Sequence, residues 1–256
     1  MQESWVNFKD KLQRYFFYNK EELKVYLLVT LAFAFIWSFD QWGETAFNFV
    51  EGIQNFLIAL LICAVSVFVH DAGQRIVALY VGFRAETRLW WHGLWIGLIL
   101  AIITKGSFVM FAATSVWVHH LAYHRLGFYR YGPNTLSFSM TALSGPIASI
   151  IFAGFFKTID LWIGFPEFLS QLISNFFVFN VVYAAWNLLP IPPLDGSKVF
   201  FTSRVTYSFV AGTIISYALM VFLLNIYSYI LALLAGGLIW LIFYVTFESK
   251  IGKGGH

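Results

Sequence analysis

Charge is what this sequence has least of. Asp, Glu, Lys and Arg make up 11% of its 256 residues, against about 25% in an ordinary soluble chain. Between Val205 and Phe247 there is none at all, which excludes a soluble globular domain there. Cysteine is almost missing too. The lone Cys63 lies within an apolar run, so no intrachain disulfide can form. No cleavable signal peptide is expected: the first 24 residues are polar and mixed in charge, and no small-residue cleavage site follows Val25–Phe39. A net charge of +3 is too small to argue for nucleic acid as a partner. Proline is rare, and three of the six prolines fall between 190 and 193.

What is present is apolar: 59% of the residues are hydrophobic and 20% aromatic. A membrane span needs about 20 mostly apolar residues, and six stretches approach that, at roughly 23–39, 54–73, 136–157, 168–190, 206–224 and 228–247. The expected fold class is an all-α polytopic membrane protein in a lipid bilayer. Residues 84–135 are less regular. Leu94–Ile103 is too short to cross, and Phe108–Leu121 follows it, so a re-entrant hairpin or short β segment is expected between the second and third spans. Such backbone is tolerated at depth only when buried in protein or lining a wet cavity.

The organisation expected is an N-terminal segment 1–24, a membrane domain 25–249 and a tail 250–256. Lys9, Lys11, Arg14, Lys20 and Lys24 precede the first span, whereas the loop 40–53 carries Asp40, Glu44 and Glu51 and no base. The positive-inside rule then puts the N-terminus in the cytoplasm. Lys250 and Lys253 put the C-terminus on the same side.

Two acids fall where the membrane should contain none, at a cost of about 2.5–3.5 kcal/mol each on insertion scales. Asp195 ends "AAWNLLPIPPLDGSKVF" (184–200). Proline lacks a backbone donor and clashes with the preceding turn, so the span must unwind at Pro190, Pro192 and Pro193. The freed carbonyls and the Asp195 carboxylate then need a partner such as a metal, Asn187 or water. A proline-rich surface loop with a capping Asp is the plainer alternative. Asp71 lies in "VSVFVHDAGQRIVALYVGF" (65–83), beside His70 and three residues before Gln74. Zinc proteases commonly carry His-Glu-x-x-His on a helix, with two His ligands on one face and the Glu as general base. Here the spacing is kept as His70-Asp71-Ala72-Gly73-Gln74, with two of the three functional residues replaced.

With those residues in view, the chain resembles the site-2 protease family of intramembrane zinc metalloproteases, in particular its short archaeal-type members. Four stretches carry the resemblance in the family's order: "VFVHDAGQRIVALYVGFRAETRLW" (67–90), "KGSFVMFAATSVWV" (105–118), "SGPIAS" (144–149) and "NLLPIPPLDGSKVF" (187–200). The resemblance implies zinc as cofactor, His70 as first ligand, Gln74 at the second ligand's position, Asp195 as third ligand and Asp71 at the base's position. It implies that Gly145 and Pro146 form a turn opening the intervening helix. Asn187, Pro190 and Pro192 would bind substrate or shape the site.

The departures matter chemically. A neutral amide is a poor zinc donor beside an imidazole. Asp71 is one methylene short, and a general base must come within about 2.6–3.2 Å of its proton or act through one water. His119, His120 and His124 in "VHHLAYH" (118–124) offer replacement ligands, His120 and His124 sharing a face if the segment is helical; an interfacial helix end is the alternative. His92 sits in an aromatic belt beside Trp90 and Trp91, and His256 ends the tail. Arg75, Arg84, Glu86 and Arg88 read as a solvated face and topology anchor, or as a hold on a substrate's flank. The 29 Phe and 10 Trp read as lipid-facing bulk and interfacial belts. Gly93–Gly97 has GxxxG spacing, a weak signal outside a full span.

Two functions follow. One is a pseudoprotease that binds transmembrane protein segments with lost or weak proteolysis. The other is an active intramembrane metalloendopeptidase. A small transporter would also use broken helices and midplane acids, but no repeat is visible and intramembrane charge is expected only at the two matched sites.

Overall fold

A computed structural model describes residues 5–43, 47–120, 135–224 and 226–249. The elements are α1 (Trp5–Tyr15), α2 (Lys20–Trp37), α3 (Phe49–Tyr80), β1 (Phe83–Leu89), α4 (Trp91–Ile103), β2 (Thr114–His120), α5 (Thr135–Ile163), α6 (Glu167–Asn187), α7 (Asp195–Thr202), α8 (Arg204–Leu224) and α9 (Tyr229–Phe243). A π-helical turn, Tyr244–Glu248, continues α9.

Among the described residues five helices are long and apolar enough to cross a membrane: α3, α5, α6, α8 and α9 with its π turn. The chain is a multi-pass membrane protein with a predominantly α-helical fold. The expected first span is α2. Lys20, Glu21, Glu22 and Lys24 fill its first turn and a half, leaving an apolar stretch of only Val25–Trp37. Its start is fixed locally, because the Glu22 carboxylate accepts from the Asn19 backbone N–H at 2.9 Å, as in a capping box. At 32 residues, α3 runs about 48 Å, well beyond the roughly 30 Å of a hydrocarbon core. One of its ends must therefore stand outside the apolar layer.

The irregular region forms one antiparallel pair, Phe83 opposite His120 through Leu89 opposite Thr114, with α4 lying in the excursion between the strands. Gly93 and Gly97 let the 110–112 backbone lie against α4; a side chain on Gly97 would come within 2.8 Å of the Met110 carbonyl. Their spacing serves a helix–backbone contact within the chain, not the pairing of two spans. The stretch behind α4 also touches the proline loop and the end of α6: Ser115 Oγ donates to the Pro193 carbonyl (3.0 Å), and Trp186 Nε1 of α6 donates to the Val109 carbonyl (3.0 Å).

Aromatic residues build the centre as well as the lipid face. Phe111 and Phe179, both fully buried, have ring centroids 4.7 Å apart, and Phe33 and Tyr183 pack on them. More of the Phe and Trp residues are exposed than buried, among them Trp95, Trp162, Phe155 and Phe201, in keeping with the expected lipid-facing bulk, and the buried cluster is an addition to it.

The expectation that intramembrane charge is confined to two sites also needs correction. Within α5, Lys157 Nζ donates to Asp160 Oδ2 (3.1 Å) and to Ser174 Oγ of α6 (2.8 Å), and Ser170 Oγ donates to the same carboxylate (2.9 Å). This pair closes locally across the turn between the two helices, so each charge has its partner.

Candidate functional site

His70 and Gln74 are four residues apart on α3 and therefore share a face. That face meets α5 and the first residue of α7. His70 Nε2 lies 3.3 Å from Asp195 Oδ2 and 3.3 Å from Gln74 Nε2, and the Gln74 amide donates to Asp195 Oδ2 at 2.6 Å. The other ring nitrogen, His70 Nδ1, is 3.3 Å from Ser149 Oγ of α5. A proton on Nε2 satisfies two of these pairs, with Ser149 O–H donating to Nδ1 and Nε2–H donating to Asp195; the Gln74 amide then bonds to Asp195 and not to the ring. Lys198 Nζ donates to the second Asp195 oxygen at 3.2 Å. His70, Gln74 and Asp195 are all buried.

The approach of α3 and α5 that permits this depends on small residues. A side chain on Gly145 would meet His70 Nε2 at 2.5 Å and Gln74 Nε2 at 2.8 Å, and one on Gly73 would meet Ala148 Cβ at 2.6 Å. Pro146 lies inside a continuous α5. The Gly-Pro pair therefore does not open this helix, and Gly145 instead clears space for the imidazole and the amide.

Asp195 is carried to the cluster by the break in the chain. Helix α6 ends at Asn187, and α7 begins at Asp195 after the proline stretch. The Leu194 N–H bonds to the Ile191 carbonyl (2.8 Å) within that loop, while Pro190, Pro192 and Pro193 offer no donor of their own. Asn187 is buried and does not reach Asp195. Its Nδ2 donates to the Tyr183 carbonyl one turn back (2.9 Å), and its Oδ1 has no hydrogen-bond partner among the described residues.

Asp71 and Arg75 occupy the next face of α3. Arg75 Nε donates to Asp71 Oδ2 at 2.5 Å, and the Thr87 hydroxyl of β1 donates to Oδ1. Arg75 Nη2 donates to Glu22 Oε1 at 2.5 Å and Nη1 to the Phe17 carbonyl at 3.0 Å. The guanidinium carbon stands 4.1 Å from the centroid of the Tyr18 ring. Arg75 is only 2% exposed, which overturns the solvated-face reading at this residue. Tyr18 stays protonated: its burial and the nearby Asp71 charge push the phenol well above its ordinary range.

In the rest of that charged stretch Arg84 and Glu86 are half-buried and Arg88 is exposed. Arg84 and His119 both approach Glu86, at 3.5 and 3.2 Å, and Arg88 lies over Trp117. His119 therefore does not join His70 and Asp195. His120 is in a strand, which removes the helical face it was expected to share with His124, and His124 lies outside the described residues. His92 is exposed.

Both faces of α3 border one cavity of about 10 Å³, between His70, Asp71, Gln74, Thr87, Tyr183 and Asp195, room for at most one water. The separation of His70 Nε2 and Asp195 Oδ2 matches the roughly 3.3 Å edge of a tetrahedral zinc site with bonds near 2.0 Å. Two donors fit, but a third does not. Catalytic zinc takes three protein ligands and a water, and no three His, Cys, Asp or Glu side chains gather for a metal among the described residues. The third position holds a neutral amide already committed to Asp195, and Lys198 competes for that carboxylate. The residues present do not fit a catalytic zinc.

Sequence reasoning missed Ser149, Lys198, Thr87 and Glu22. The first two lie inside quoted motif stretches, "SGPIAS" and "DGSKVF"; nothing local marks the others.

No model of a known protein family matches the chain, and neither does any solved structure. Over 205 residues it is 28% identical to a protein of Methanocaldococcus jannaschii that bears the name "putative zinc metalloprotease", an overlap of 80% of this chain and 96% of that one. The likeness fits a metalloprotease-like membrane protein.

Proposed function

We propose that this chain is a site-2-protease-like membrane protein whose proteolysis is lost or much weakened, and that it binds transmembrane segments of other proteins beside the break at Pro190–Pro193. The observation that carries the reading is the state of the two replaced positions. Gln74 donates its amide to Asp195, closing the place of a second metal ligand with a hydrogen bond. Asp71 has each oxygen engaged, one by Arg75 and one by Thr87, so a general base at this position would work against two hydrogen bonds that hold its carboxylate. Both termini are proposed to face the cytoplasm, and the 1–24, 25–249 and 250–256 divisions remain part of this proposal.

An active zinc endopeptidase is the second reading. It is favoured by the name of the M. jannaschii relative and by the donor spacing at His70 and Asp195. Zinc per chain separates the two, measured on detergent-purified protein beside an Asp195→Ala control. The expected result is no zinc above background in either sample. Near one zinc per chain, lost in the control, would overturn the pseudoprotease reading and favour the second.

A further inference from the structure

We propose that a large cavity at the far end of α3 from His70 binds an organic cation, with its ammonium group at Asp40 and Glu51 and an apolar chain running in toward Ile62. The site is separate from the His70–Asp195 cluster and does not rest on the proposed function.

The space has the size for such a ligand. About 540 Å³ opens between the end of α2, the first half of α3 and the first two turns of α6, and pockets for small organic molecules run from about 300 to 1,000 Å³. It is also long. The α3 residues Glu51, Asn55, Ile58 and Ile62 line it at i, i+4, i+7 and i+11, which makes them one stripe of the helix. At about 1.5 Å of rise per residue the stripe covers about 16 Å, and Glu51 stands about 28 Å from His70 along the axis.

The lining changes character along that length. Asp40 is exposed and Glu51 half-buried, whereas Ala59 is 1% and Ile62 2% exposed. The acids therefore stand at the open end and the aliphatic side chains at the closed one. Among the described residues that line the cavity there is no Lys, Arg or His. Lys105 precedes Gly106, which lies against Asp40, but it is not one of the lining residues. A phosphate or carboxylate head would meet two carboxylates and no base, whereas an ammonium head finds the opposite charge that a desolvated cation needs. Amides complete the polar lining. Asn55 spends one donor on the Gln41 carbonyl at 2.8 Å, and the side chains of Gln171 and Asn175 have no hydrogen bond to other described residues. Apolar walls with a few polar groups that fix orientation are what a small-molecule site requires, and here those groups carry charge of one sign.

The test is saturation-transfer NMR with n-hexylamine on the full chain in neutral maltoside micelles, with empty micelles as the blank. Saturable binding in the millimolar range is expected for the amine. Two partly wet ion pairs are together worth about 10-fold, so 1-hexanol, with the same chain and no charge, should bind about 10-fold more weakly. Asp40→Asn combined with Glu51→Gln should raise the Kd for hexylamine by a similar factor. Ile58→Trp, which fills the space beyond the acids, should abolish binding. Glu86→Gln removes a carboxylate beyond the opposite end of α3 and should leave the Kd unchanged. Lysophosphatidylethanolamine added to the micelles carries the same ammonium on a lipid. Displacement of hexylamine would then identify a headgroup as the occupant and no displacement a free amine, and either result keeps the cation site. No saturable binding above the micelle blank overturns the proposal. So does hexanol binding as tightly as the amine, a Kd untouched by loss of the Asp40 and Glu51 charges, or an equal weakening by Glu86→Gln.

Discussion

Two adjacent faces of α3 carry side-chain pairs of the same spacing and opposite character. His70 and Gln74 are neutral hydrogen-bonding groups that meet a carboxylate from α7. Asp71 and Arg75 are full charges that meet a carboxylate from α2. The first pair keeps the arrangement of a metal site without its third donor. The second is an ion network in which every charge is answered. One residue of rotation along a helix, about 100°, is enough to separate chemistry-like geometry from structural fastening. The two faces can be pulled apart experimentally.

The largest effect should come from breaking the charged face. Arg75→Met leaves Asp71 and Glu22 buried without their cation, and losing one partner of a buried ion pair costs about 3–5 kcal/mol. Unfolding in mixed detergent micelles should show that loss. A change below 1 kcal/mol would mean that water reaches the network and that it is not the fastening described.

Crowding the neutral face comes next. Gly145→Val forces a side chain into the 2.5 Å approach to His70 Nε2, and overpacking of this kind costs about 1–3 kcal/mol. The loss should be accompanied by a displaced imidazole, seen as a changed ¹⁵N shift of His70. The nearest atoms to a side chain on Gly145 belong to His70 and Gln74 and none to Asp71 or Arg75, so adding Arg75→Met to Gly145→Val should give additive losses. Strong coupling would show that the two faces act as one unit.

How much of this was legible in the sequence follows from where the partners lie. The spans could be read because apolar length is a local property, and the short β segment because Leu94–Ile103 is too short to cross. The convergence of His70 with Asp195 across 125 residues was visible only through the motif spacing and the proline break. The burial of Arg75 was not. A basic residue near a helix end reads as solvated, and its partners Phe17 and Glu22 lie 58 and 53 residues away. Gly145 was misread for a related reason: a Gly-Pro pair signals a bend locally, while the contact that requires glycine comes from another helix.

The smallest effects give the sharpest comparison, because one hydroxyl can be deleted from each face. Ser149→Ala removes the partner of His70 Nδ1, a hydrogen bond between neutral groups worth about 0.5–1.5 kcal/mol. Thr87→Val removes the donor to Asp71 Oδ1, a bond to a charged group worth about 1.5–3 kcal/mol. The charged face should therefore lose more stability from the same chemical deletion. The imidazole should respond in the opposite order. Only Ser149→Ala frees Nδ1, so only that variant should alter the tautomer of His70 in ¹⁵N spectra, while Thr87→Val leaves it as it was. If Thr87→Val shifts the His70 signals as much as Ser149→Ala does, the cavity between the faces transmits the change. The neutral cluster would then be governed by the ion network beside it.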